Sequence, residues 1–94
     1  MTFKQESAQT LALQALGWLA GQDEAFQGFL GASGLGSADL RDRAADPEVL
    51  SAVLDFLLSD EALLMQFCAD AEVRPDVPMQ ARAALPGGDV PHWT

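Results

Sequence analysis

Apolar residues recur along this chain three and four residues apart, the spacing of one helical face, and almost nowhere alternate as a strand requires. From Lys4 to Ala20 the positions Ala8, Leu11, Ala12, Ala15, Leu16, Trp18 and Leu19 sweep out a wide apolar face. Gly21 is expected to end that helix in the left-handed conformation. A shorter helix from Gln22 or Asp23 carries Phe26, Phe29, Leu30 and Ser33, and Gly34 and Gly36 flank Leu35 in the turn beyond it. Ser37 is the expected N-cap of a turn or two of helix from Ala38 to Ala45.

The second half opens on the clearest helix start in the chain. Asp46 suits the N-cap, Pro47 the first helical position, and Glu48 the positive helix end. Val49 to Leu58 is then apolar around most of its circumference, with Glu48, Ser51, Asp55 and Ser59 left as one narrow polar stripe. A helix of that kind must be surrounded by protein, so it is read as the centre of the fold, with Leu54 and Leu57 inaccessible. Ser59 or Asp60 caps a following helix with core positions Leu63, Leu64, Phe67, Cys68 and Ala71, broken at Arg74-Pro75. Asp76 is the expected cap of a last helix from about Val77 to Leu85, and Pro86-Gly87-Gly88 stops it.

The pattern predicts an all-α fold of about six short helices in one compact domain spanning residues 1–94. The ordered core runs from about residue 4 to 88, and 89–94 form a C-terminal tail. A shift of 37 residues places Leu13, Ala15, Asp23-Glu24-Ala25 and Asp39 on Leu50, Ala52, Asp60-Glu61-Ala62 and Asp76. On that ground the chain reads as two pseudo-repeated three-helix halves around the central helix 49–58.

Composition changes the picture through charge. Fourteen acidic residues face five basic ones, a formal net charge of -9 over 94 residues. That field repels phosphate backbones and anionic lipid heads, so direct binding to nucleic acid or membrane is not expected, whereas a basic protein partner is permitted. The longest apolar run, Val49 to Leu58, is too short to cross a bilayer, and Met1 to Ser7 lacks an apolar signal region. One cysteine fits a reducing compartment, and the chain reads as cytoplasmic, a monomer or weak homodimer.

Candidate chemistry is sparse. His92, the only histidine, lies in the tail with no second group to hold it. Cys68 sits among Leu64, Phe67 and Ala71 with acids as its nearest charges, the setting of a core thiol and not of a nucleophile. Asp23-Glu24 and Asp60-Glu61 point about 100° apart on a helix and are read as capping groups. Gly28, Gly31, Gly34 and Gly36 follow no strand and match no phosphate-binding motif. No catalytic residue, metal site or cofactor is expected.

Two positions remain as candidate partner-binding residues, Asp55 and Trp93. Asp55 interrupts the most apolar helix and admits three readings: an exposed stripe with Glu48 and Ser51, a buried ion pair with Arg41 or Arg43, or an anchor facing a partner. The exposed stripe is preferred. Trp93 in the tail either docks on its own domain or anchors another protein. Docking on its own domain is preferred.

The pieces Ala15-Leu16-x-Trp18-Leu19-Ala20, Phe29-Leu30, Gly34-Leu35 with Leu40-Arg41, Val53-Leu-Asp-Phe-Leu-Leu58-x-Asp60-Glu61, and Ala81-Arg82 with Leu85-Pro-Gly87 resemble a small bacterial family of helical proteins, a domain of unknown function. The resemblance runs from about Leu11 to Gly88 and implies an all-helical single domain; it brings no activity and no site residue. The expected function is a small non-catalytic adaptor or regulator presenting an acidic surface to a protein partner. The alternatives are a small enzyme or enzyme subunit using carboxylates, and an acidic mimic of nucleic acid.

Overall fold

The structure, a computed structural model, describes residues 5–85, leaving aside the side chains of Gln5 and Ser37. Helix α1 spans Gln5–Ala20, α2 Asp23–Ser33, α3 Ser37–Asp42, α4 Pro47–Leu58, α5 Glu61–Ala71 and α6 Asp76–Ala84. No strand occurs among the described residues, and the chain is all-helical as its periodicity requires. The proposed stop at Pro86-Gly87-Gly88 and the tail residues His92 and Trp93 lie outside them.

Helix α4 starts as its sequence dictates. The Asp46 carboxylate accepts from the Glu48 backbone N–H at 2.9 Å, and Pro47 follows at the first helical position. That bond, and then the Arg43 guanidinium at 3.1 Å, holds the Asp46 carboxyl below its ordinary pKa. Asp60 caps α5 in the same way, accepting from Leu63 N–H at 3.2 Å.

Three other caps depart from expectation. Gly21 is not left-handed; its N–H donates to Trp18 C=O at 3.0 Å and that of Gln22 to Leu19 C=O at 2.9 Å, so α1 ends in a tightened 3₁₀-type turn. Gly36, in extended conformation, holds the N-cap position of α3, and Ser37 is its first helical residue. Pro75 precedes α6, and Asp76 lies just inside it, bonded to the Arg74 guanidinium and the Gln80 amide and not to a backbone N–H. Such one-residue differences are common where a polar side chain can act from either side of a helix boundary.

Left-handed backbone closes two helices. Gly34 (φ 75°) ends α2, where a glycine is expected, but Glu72 (φ 59°) ends α5, where a side chain is costly. Val73 N–H and Glu72 N–H both donate to Cys68 C=O, so the turn is fixed by hydrogen bonds that outweigh the strain. Glu72→Gly is therefore expected to stabilise the domain by roughly 0.5–1 kcal/mol, read from its denaturation midpoint. A loss of stability would show that the Glu72 side chain contributes more than its backbone conformation costs.

The centre of the fold is shared by two helices. Helix α4 packs against α1, α2, α5 and α6, and α6 lies across both α1 and α4. Val53, Leu54 and Leu57 have no accessible surface, as the apolar circumference of α4 requires. Its polar stripe, however, is not a single solvent face. Ser51 is buried, Asp55 meets Arg82 of α6, and Glu48 and Ser59 are exposed.

The buried positions follow a different register from the residue identities. Leu13 matches Leu50 at a shift of 37, yet Leu13 is 43% exposed and Leu50 only 1%. Leu11, Ala12, Ala15, Leu16 and Leu19 of α1 are buried, and so are Val49, Leu50, Val53, Leu54 and Leu57 of α4, each 38 residues on. The two left-handed caps, Gly34 and Glu72, obey the same spacing. Two edge-to-face ring pairs obey it reciprocally: Trp18 meets Phe67 and Phe56 meets Phe29, both at 5.5 Å between centroids. The 37-residue matches of Asp and Ala misplace this register by one, because Asp60 caps its helix whereas Asp23 is the first residue of its own. The third helices differ, α3 having 6 residues and α6 having 9.

Candidate functional site

Asp55 is the candidate that the described structure can place. Its carboxylate accepts from Arg82 Nε at 2.6 Å; the Asp55 side chain is 57% exposed and that of Arg82 19%. It is therefore an exposed acid with a partner, and the partner comes from α6, not from Arg41 or Arg43. Helix α6 lies across α4, which brings in an arginine 27 residues away that local spacing could not indicate. Arg43 instead pairs with Asp46 and Glu48 at the start of α4.

Asp55 stands at a cleft of about 270 Å³ between α2 and α4, lined also by Phe29, Ser33, Phe56 and Ser59. Both serines are committed to backbone. Ser59 Oγ donates to Phe56 C=O at 2.7 Å, and Ser33 Oγ donates to Leu30 C=O while accepting from Leu35 N–H. Neither hydroxyl is hydrogen-bonded to a base among the described residues, and Asp55 is held by Arg82, so the cleft offers shape and a carboxylate edge without an assembled nucleophile–base pair.

Trp18 acts between helices. It is half-buried, its ring edge packs on Phe67, and its indole N–H donates to Asp70 Oδ2 at 2.7 Å, tying α1 to α5. Cys68 is buried, and burial pushes its thiol pKa up, as befits a core residue. No group of three or more His, Cys, Asp or Glu side chains among the described residues is placed to share a metal ion. No helix among them is long and apolar enough to cross a membrane.

A second concavity was not apparent from the sequence. Leu13, Leu16, Gly17 and Ala20 of α1, Phe26 of α2, Leu40 and Arg41 of α3, and Ala44 in the turn beyond α3 line an open groove of about 390 Å³. The α1 positions follow i, i+3, i+4, i+7, so the groove runs along about two helical turns. A side chain at Gly17 would meet nothing within 4 Å, which marks that stretch of α1 as open. The signal was Leu13 itself, a large apolar residue off the buried face of α1.

The ions on the helices that line this groove are unevenly matched. All the ion pairs among the described residues involve Arg43, Arg74 or Arg82, with Asp46, Glu48, Asp76 and Asp55 as their acids. Helices α1–α3, which line the groove, carry Glu6, Asp23, Glu24, Asp39 and Asp42 against Arg41 alone. All five acids are exposed, and none is in an ion pair with a described residue.

Fold and surface together define a small six-helix domain with open concavities and no assembled catalytic constellation among its described residues. Its sequence carries the family. The chain belongs to DUF3572, a family of proteins of unknown function, whose pattern matches residues 5–88. No curated protein and no solved structure matches the chain.

Proposed function

We propose that this protein is a non-catalytic interaction module, a cytoplasmic adaptor or regulator that presents an acidic surface to a protein partner. One observation carries the reading: an open apolar groove lies on helices whose five exposed acids form no ion pair with a described residue. Apolar surface supplies affinity, and unpaired charge supplies orientation and a rapid encounter. The carboxylate-enzyme alternative draws on Asp55 at its cleft, but Arg82 already occupies that acid. An acidic nucleic-acid mimic would need its carboxylates in paired rows at phosphate-like spacing.

The test is capture from native lysate on the full chain, compared with the Asp39→Lys/Asp42→Lys variant. A specific partner should be retained at low ionic strength. It should be lost in the charge-reversed variant and near 1 M salt, where the Debye length falls to about 3 Å. If no partner separates from the control bait, the interaction reading fails.

A further inference from the structure

We infer that the α1–α3 groove is a docking site for an amphipathic helix with cationic flanks, contributed by a partner protein. The inference rests on the interaction-module reading and adds to it a location and a kind of ligand. The groove's floor is apolar and about two helical turns long, set by Leu13, Leu16, Gly17 and Ala20 along one helix and closed by Phe26 and Leu40. A second helix laid along such a stripe places its own i, i+3, i+4 and i+7 side chains into it. Leu13 is already 43% exposed at the edge, and Gly17 leaves room for an incoming side chain, so docking needs no rearrangement of the core.

Charge decides the ligand's flanks. The three helices lining the groove hold five exposed acids and one arginine, Arg41, and none of the six is in an ion pair with a described residue. Lysines and arginines beside the apolar stripe would meet the field of Asp39 and Asp42, the chain neighbours of the lining residues Leu40 and Arg41 on α3, whereas carboxylates would be repelled by all but Arg41. The same argument disfavours a second copy of this chain as occupant, because each copy has a formal charge of -9 and would bring the same acids to the contact.

The probe is a fluorescein-labelled synthetic peptide of 18 residues, helical, with leucines on one face and lysines and arginines beside them; its twin carries glutamates in place of the cations. Fluorescence anisotropy should show the cationic peptide binding the full chain at least tenfold more tightly than the anionic one. Leu13→Gln and Gly17→Gln, neutral changes at open positions, should each weaken it about tenfold with the melting temperature retained. Asp39→Asn/Asp42→Asn should weaken it and flatten its salt dependence.

Equal or tighter binding of the anionic twin would overturn the charge argument and leave Arg41 as the determinant. Affinity unchanged by Leu13→Gln and Gly17→Gln would put the site elsewhere. Tighter peptide binding on Trp93→Ala would make the chain's own tail the occupant. A wild-type dimer that dissociates on Leu13→Gln would make it a second copy. A lysate partner that is captured but indifferent to Leu13→Gln would sink the groove and keep the interaction module, whereas absence of any partner would sink the module itself.

Discussion

Leu57→Ala should destabilise this domain by about 2–5 kcal/mol, through lost apolar burial and the cavity left behind. Leu57 has no accessible surface and lies on α4, which is enclosed by α1, α2, α5 and α6, so surrounding atoms cannot collapse into the space without moving a whole helix. For a chain of this length total stability is of order 5–15 kcal/mol, and the substitution removes a large part of it. Thermal unfolding followed by circular dichroism should show a midpoint lower by roughly 10–30 °C. Met79→Ala on α6, where the side chain is 63% exposed, provides the control and should change little. Similar midpoints for the two variants would mean that α4 is not the enclosed helix described here.

Phe67→Ala should cost about 3–5 kcal/mol. The ring is fully buried on α5 and meets the edge of Trp18, 5.5 Å between centroids at 64°. Part of the loss, about 0.5–1.5 kcal/mol, belongs to the ring–ring geometry and not to burial, and Phe67→Leu isolates that part. Trp18 reports on the change directly. On a Trp93→Phe background its emission should shift to the red in Phe67→Ala, because the indole loses its apolar neighbour. An unchanged spectrum would show that Asp70, which accepts the indole N–H at 2.7 Å, fixes the Trp18 environment without help from Phe67.

Much of the fold was legible because helical periodicity is local. The apolar circumference of α4, the Asp46-Pro47-Glu48 start and the Asp60 cap are each decided within a few residues. The left-handed Glu72 was not legible, since its residue type argues against its conformation and only the bonds to Cys68 C=O hold it. The partner of Asp55 was hidden for another reason: Arg82 is brought there by packing of α6 across α4, a tertiary fact. The groove was hidden because it exists only where α1, α2 and α3 come together, although Leu13 off its helix's buried face was the available clue. Residue identities also misled by one position, because cheap coincidences of Asp and Ala weighed as much as the apolar positions that packing uses.

The reciprocal ring pairs have a consequence for how the molecule comes apart. Trp18 and Phe29 belong to the first three helices, Phe56 and Phe67 to the last three, and each pair joins one ring from either set. Such an exchange has the form of a contact between two identical subunits related by a two-fold axis, here made within one chain. Neither set of helices can open alone without stripping an aromatic neighbour from the other. Unfolding is therefore expected to be all-or-none, and hydrogen exchange of the slowest amides in α1 and α4 should report the same opening free energy.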